Sequence, residues 1–270
     1  MTQTDDVRAR LDLALKLADA ARSETLPRFR NLDAVDGKSG NRPGFDPVTA
    51  ADREAERVIR ELLETHAPDD AIVGEEFGEK SGQSGWTWYL DPVDGTRAFV
   101  AGLPVWTTLI AATDPNGTPV IGIIDQPVLA ERYIGWPGGA RLDAGDTSTP
   151  LTVSRCTDLR EATIATTDPF ILTPAEQGAW THLRHTARLT RYGLDAYAYG
   201  RLAGGTIDLV AETGLAAWDM AALIPVVRGA GGVACNWRGE APKLGGQLVC
   251  ASTQAVLDQA LISLRRSAED

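Results

Sequence analysis

At 270 residues, 43% of them hydrophobic, the chain can form one large domain or two modest units sharing a core. Its formal net charge of -11 argues against a nucleic-acid partner, because an acidic surface repels a phosphate backbone. No apolar run reaches the roughly 18 residues that a membrane span requires, and Cys156, Cys235 and Cys250 are too scattered for a disulfide framework, so they read as reduced thiols acting as small buried hydrophobes.

The opening "MTQTDDVRARLDLALKLADA" carries early acids and no uninterrupted apolar segment, which predicts no signal peptide and a cytoplasmic location. Val7, Leu11, Ala14, Leu15, Ala18 and Ala21 recur at the helical period, predicting an amphipathic helix that ends near Pro27. A polar, glycine-rich loop, "DGKSGNRPGFDP", fills residues 36–47. A second helix places Ala55, Val58, Ile59, Leu62, Leu63 and His66 on one face, and Thr49 with Asp52 reads as a capping box at its start. The run "AIVG" (71–74) predicts a strand leading into Glu75 and Glu76, and "WTWYL" (86–90) a strand leading into Asp91. "WTTLIAAT", a "DPNG" turn and "PVIGIID" predict a hairpin between about 106 and 125, with "ERYIGW" as a further strand. Asn116 matches a glycosylation sequon but reads as part of that turn.

Beyond about residue 150 the rhythm changes. Strand-like "ATIATT", "RLTRYG" and "TIDLVAE" alternate with helical stretches around 174–186, 197–204, 218–230 and 253–265, which predicts parallel strands with crossover helices. The expected organisation is an α+β unit over 1–150 carrying most of the acids and an α/β unit over 151–270, together one catalytic body.

The acids carry the chemistry. Glu75 and Glu76 follow one predicted strand and Asp91 and Asp94 another, at the edge where sheet proteins place ligands. Asp52 falls in the first turn of the second helix, and Asp219 opens "WDMAALIPVVRGAGG". Brought together, these carboxylates would repel by about 4 kcal/mol per pair at about 4 Å and an effective dielectric near 20. Hard divalent cations relieve such a conflict, and Mg²⁺ suits a few carboxylates plus water and substrate phosphate. Gly95 lets the backbone approach a ligand closely, and N–H groups at the start of the short helix "TRAFV" can hold phosphate, so Gly95 and Thr96 are phosphate-binding candidates. A lone "GEE" or "DPxDG" is an ordinary surface or turn; the signal is their succession, each after a β run. His66, His182 and His185 join no constellation and read as structural or surface residues.

The blocks "DPVTAAD" (46–52), "GEE" (74–76), "DPVDGTRAF" (91–99), "WDMAA" (218–222) and "GAGG" (229–232) together resemble the inositol monophosphatase superfamily of Mg²⁺-dependent phosphatases. The resemblance implies a layered αβαβα sandwich of the α+β and α/β class, a homodimer, two or three Mg²⁺ ions per site and inhibition by Li⁺. It makes Glu75, Asp91, Asp94 and Asp219 side-chain metal ligands and Val93 a ligand through its carbonyl, with Asp52, Thr96 and Glu76 as catalytic groups. Asp52 and Thr96 would orient and deprotonate the attacking water. Where the family often carries a lysine this chain has Asn41, and Lys38 or Arg42 could substitute.

Within the superfamily, "DQPVLAERYIG" and "DAYAYG" resemble the histidinol-phosphate phosphatase branch. The implied substrate is L-histidinol phosphate, whose amine and imidazole call for acids beyond those that hold metal. Asp195, Glu212 and Arg97 are the implied substrate contacts; for Asp195 a helix N-cap before "AYAYGRLAGG" is an equal alternative. Two rival functions stand beside this one: a phosphatase for inositol 1-phosphate or a range of sugar and nucleotide phosphates, and an accessory protein of a transcription or RNA complex.

Overall fold

The computed structural model describes residues 3–32, 35–37 and 47–269; Lys38, Asn41 and Arg42 lie outside the described residues. The chain begins with helix α1 (Gln3–Arg28), then β1 (Val35–Gly37), β2 (Pro47–Thr49) and α2 (Ala50–His66). Next come β3 (Ala71–Gly74), β4 (Gly78–Lys80), β5 (Thr87–Asp94), the short α3 (Thr96–Val100), β6 (Thr107–Thr113), β7 (Pro119–Gln126), β8 (Glu131–Trp136), β9 (Gly139–Ala144) and β10 (Thr147–Pro150). The remainder supplies β11 (Thr163–Ala165), α4 (Pro174–Thr186), β12 (Leu189–Arg191), α5 (Tyr197–Ala203), β13 (Leu209–Leu215), α6 (Ala217–Ala221), α7 (Leu223–Gly229), β14 (Val233–Cys235), β15 (Gly246–Ala251) and α8 (Gln254–Leu264).

Two sheets organise these elements. One has eight strands in the order β10-β9-β8-β7-β6-β5-β3-β4, the other five in the order β12-β11-β13-β15-β14. Period-two alternation assigns their faces. On β6, Ile110 and Ala112 pack with Leu17, Ile59 and Leu63 of α1 and α2, whereas Leu109 and Ala111 face the opposite way into a core with α5, α6 and α7. On β13, Val210 joins that middle core, while Leu209 and Ala211 pack outward with Trp180 and Leu183 of α4 and Leu257 and Leu261 of α8. The layers are therefore helices, sheet, helices, sheet, helices, a layered α/β sandwich. Glu212 shares the Val210 face, so the same alternation turns it toward α5.

Local chemistry explains the boundaries. Thr49 caps α2 by accepting from Ala51 N, and Asp52 Oδ2 reaches back to Thr49 N at 2.8 Å, completing the expected capping box. Ala55, Ile59 and Leu63 bury the helix at i, i+4 and i+8, but His66 is exposed and not part of the buried face.

Three expectations need correction. The strand predicted over 86–90 runs on through Asp94, with a register shift between Asp91 and Asp94, so these acids stand in the irregular end of β5 and not beyond it. The second sheet is mixed: β11 runs parallel to β12 and β13, but β15 is antiparallel to both β13 and β14. The helix predicted over 218–230 is two helices divided at Ala222. Pro225 supplies the reason, because it has no N–H for the Ala221 carbonyl and its ring crowds that turn.

Candidate active site

The bulged end of β5 and the turn that follows form the centre of the site. Asp91 is 3% exposed, and its Oδ1 has no hydrogen-bond partner. Burial, then the charges of Glu75, Asp94 and Asp219, hold its carboxyl well above the usual carboxylate range, and it shares a hydrogen bond with Glu75. Asp94 is pushed well up as well, first by burial and then by Asp195, with Asp219 and Glu212 adding to it; the Ala196 N–H opposes the shift. That N–H donates to Asp94 Oδ2 at 2.7 Å, and Thr107 Oγ1 donates to the same oxygen at 3.2 Å. Asp91 thus lies within electrostatic reach of Glu75, Asp94 and Asp219, and Asp94 within reach of Asp195, Asp219 and Glu212, acids supplied by β5, β13, α6 and the turns after β3 and before α5.

Each acid is positioned by its element. Glu75 follows β3, with its N–H on the Leu90 carbonyl at 3.1 Å. Asp219 sits in the first turn of α6, its Oδ2 accepting from Ala216 N at 2.7 Å. Asp52 is fully buried; Oδ2 accepts from Thr49 N and from Thr49 Oγ1 at 2.6 Å, which leaves Oδ1 facing Thr96 Oγ1 at 3.5 Å. The Thr96 hydroxyl also lies 3.0 Å from the Val93 carbonyl. Gly95 caps α3 in the left-handed region at φ 81, and a Cβ there would stand 3.0 Å from Asp195 Oδ2.

Asp195 is itself left-handed, at φ 47. It does not cap α5, whose N-cap is Ala196 with no side-chain bond, so the N-cap alternative is set aside. Burial, then the charge of Glu212, raises its carboxyl to about 7, against the pull of Arg97. Arg97 is exposed and close enough to act on that carboxyl. Glu212 Oε1 accepts from Thr167 N at 2.9 Å and from the Thr167 hydroxyl, and Oε2 accepts from Tyr199 OH at 3.1 Å. Burial raises Glu212 while these bonds lower it.

Sequence reasoning missed four supports: Glu56, Thr107, Thr167 and Tyr199. Glu56 is fully buried; Oε2 accepts from Glu76 N at 2.8 Å, and Oε1 from Phe77 N at 3.2 Å and Arg60 Nε at 2.7 Å. It fastens the turn that carries Glu75 and Glu76 to α2. Gly74 makes the contact possible, since any Cβ there would collide with Glu56 Oε1. The signal was present: Glu56 lies one helical turn after Asp52, beside Ala55 in the buried stripe.

The donor set suits a hard, hydrated cation. It consists of oxygens, it includes a buried carboxylate oxygen without a partner, and its like charges raise one another's pKa. Among the described residues no three His, Cys, Asp or Glu side chains close around one point as a cage. Two cavities of about 390 and 290 Å³ lie elsewhere, beside Arg228 and Arg265 and beside Trp136 and Pro225. Among the described residues no helix is long and apolar enough to cross a membrane.

Comparison with known proteins agrees with the fold. The model of the inositol monophosphatase family matches residues 6–270. The bifunctional phosphatase IMPL2, chloroplastic, of Arabidopsis thaliana is 40% identical over 228 residues, 83% of this chain; the chain spans 63% of that relative's length. The histidinol-phosphatase of Mycobacterium tuberculosis is 36% identical over 245 residues, 89% of this chain and 93% of the relative. A solved inositol monophosphatase from Zymomonas mobilis matches with a TM-score of 0.84 at 34% identity, covering 98% of this chain and all of the other. The chain belongs to the inositol monophosphatase family and, with it, to the phosphoric monoester hydrolases.

Proposed function

We propose that the protein is a Mg²⁺-dependent phosphatase that hydrolyses L-histidinol phosphate to L-histidinol and phosphate. The observation that carries this reading is the pair Asp195 and Glu212, two acids within electrostatic reach of Asp94 and outside the set read here as cation ligands. An ester with an amine and an imidazole offers such a pair a cationic partner, whereas a neutral polyol offers only hydroxyl donors. The kinship with histidinol-phosphatases points the same way.

In this reading Glu75, Asp91, Asp94, Asp219 and the Val93 carbonyl hold the cations. A bound divalent cation neutralises the acids, activates water and offsets charge on the phosphate and leaving oxygen. Such help is required, because phosphomonoester hydrolysis demands up to roughly 10²¹-fold acceleration and a general base supplies only about 10²–10⁴-fold.

The chain's own part is proton handling and positioning. Thr96 has one hydroxyl proton and two acceptors, the Val93 carbonyl at 3.0 Å and Asp52 Oδ1 at 3.5 Å. Turning it toward Asp52 frees the Val93 carbonyl and presents the Thr96 oxygen to accept a proton from the attacking water. Asp52 Oδ1 then receives the threonine proton, while Oδ2 stays held by Thr49. Glu76, anchored through its N–H by Glu56, assists beside Glu75. Backbone N–H groups at Gly95 and Thr96 cradle the phosphate, and Arg97 with Asp195 and Glu212 meets the rest of the substrate. A homodimer and Li⁺ inhibition belong to the same reading.

The test compares wild type with Glu212→Gln on L-histidinol phosphate and on inositol 1-phosphate. Loss of one charge-assisted bond, about 1.5–3 kcal/mol, should lower kcat/KM for histidinol phosphate by tens-fold and spare the inositol ester. An equal penalty on both esters would sink the substrate assignment and leave the phosphatase standing.

A further inference from the structure

Glu212 is held by a clamp whose second jaw is the hydroxyl of Tyr199, a fully buried residue of α5. A carboxylate offers about four lone-pair positions on its two oxygens. Thr167 takes Oε1 with both its N–H and its hydroxyl, and Tyr199 takes one position on Oε2. One acceptor position remains, on Oε2. Among the described residues, Tyr199 alone donates to Oε2, so without its hydroxyl the group is fixed at one oxygen only. Tyr199 is fully buried in the middle core that also holds Leu202, Val210 and Cys250, which restrains its hydroxyl.

We propose that Tyr199 is a specificity-determining positioning residue: its buried hydroxyl fixes Glu212 so that one oxygen position meets a cationic group of the substrate. The inference rests on the reading of Glu212 given above. A helix residue that touches no substrate thereby decides how well the ester's cation is accepted, and the phosphate end of the site is untouched by it.

The test is a double-mutant cycle of Tyr199→Phe and Glu212→Gln, with kcat and KM measured on L-histidinol phosphate and inositol 1-phosphate. Phenylalanine keeps the ring that fills the buried site, and a melting curve of each variant establishes that it is folded. Tyr199→Phe should lower kcat/KM for histidinol phosphate about tenfold, mainly through KM, as expected for a weakened charge-assisted hydrogen bond. The inositol ester should change by less than about twofold. In the Glu212→Gln background the tyrosine change should add less than about twofold, because the two residues act as one unit. If Glu212→Gln discriminates between the esters while Tyr199→Phe is silent, penalises both equally, or adds its full effect in the double variant, this inference falls alone. If Glu212→Gln itself does not discriminate, the substrate reading falls and takes the inference with it.

Discussion

Asp195 Oδ2 lies 3.0 Å from the point where a Cβ on Gly95 would stand, so the glycine that ends the β5 bulge is also the wall against which an acid of the turn before α5 rests. Both residues are left-handed, Gly95 at φ 81 and Asp195 at φ 47. The two halves of the site meet through this contact. Gly95→Ala should therefore both strain the turn, by about 1 kcal/mol or more, and displace Asp195. The expected outcome is a lower melting temperature together with a loss of kcat/KM. A fully active, unshifted variant would show that the approach is not tight.

Glu56 gives a prediction about a residue with no substrate contact. Glu56→Gln removes the charge that holds Glu76 N, Phe77 N and Arg60. Hydrogen bonds to a charged group contribute about 1.5–3 kcal/mol, so a loss of about 2 kcal/mol in stability is expected. Because the turn carrying Glu75 loosens, the Mg²⁺ concentration for half-maximal activity should also rise. Stability lost with Mg²⁺ half-saturation unmoved would confine Glu56 to a folding role.

Thr96→Ala separates water activation from metal holding. Its hydroxyl should be worth about 10²-fold in kcat, at the low end of general acid–base effects, with little change in Mg²⁺ half-saturation. A large shift in metal affinity with kcat intact at saturating Mg²⁺ would assign the residue to the cation instead.

Asp195 predicts an unusual pH response in the chelated protein. Burial first, then Glu212, lifts its carboxyl from 3.8 to about 7. The folded state thus binds the proton more tightly than the unfolded one, and the resulting stability is full below about pH 3.8 and lost as pH rises through about 7. Between those limits melting temperature should carry a downward slope with rising pH, and Asp195→Asn should make it shallower, leaving the share due to Asp91 and Asp94. An unchanged slope in the variant would place the effect on other carboxyls.

The acids of the candidate centre at the ends of β3 and β5 stood out in the sequence because each pair follows an apolar run, an odd place for a solvated surface to put two of them. Glu75, Asp91 and Asp94 could be singled out on that ground, Asp219 as the acid opening a helix within a block that resembles the family, and the capping box of Thr49 and Asp52 on its spacing. Glu56 was not legible, since a glutamate on an amphipathic helix ordinarily faces water; only the close approach of Gly74 makes it a support. Helix–strand alternation suggested parallel strands after residue 150. It could not reveal β14 and β15, which follow one another without a crossover helix and pair antiparallel. Thr167 and Tyr199 belong to segments far apart in sequence, and the clamp they form on Glu212 exists only once β13 is paired and α5 is packed.

The most direct measurement is phosphate release by the purified wild-type protein from L-histidinol phosphate and inositol 1-phosphate, each with Mg²⁺ and with excess chelator. The account predicts a higher kcat/KM for histidinol phosphate, abolished by chelation and restored by Mg²⁺. Full turnover in chelator would contradict the cation-held centre, and preference for the inositol ester would contradict the role given to Asp195 and Glu212.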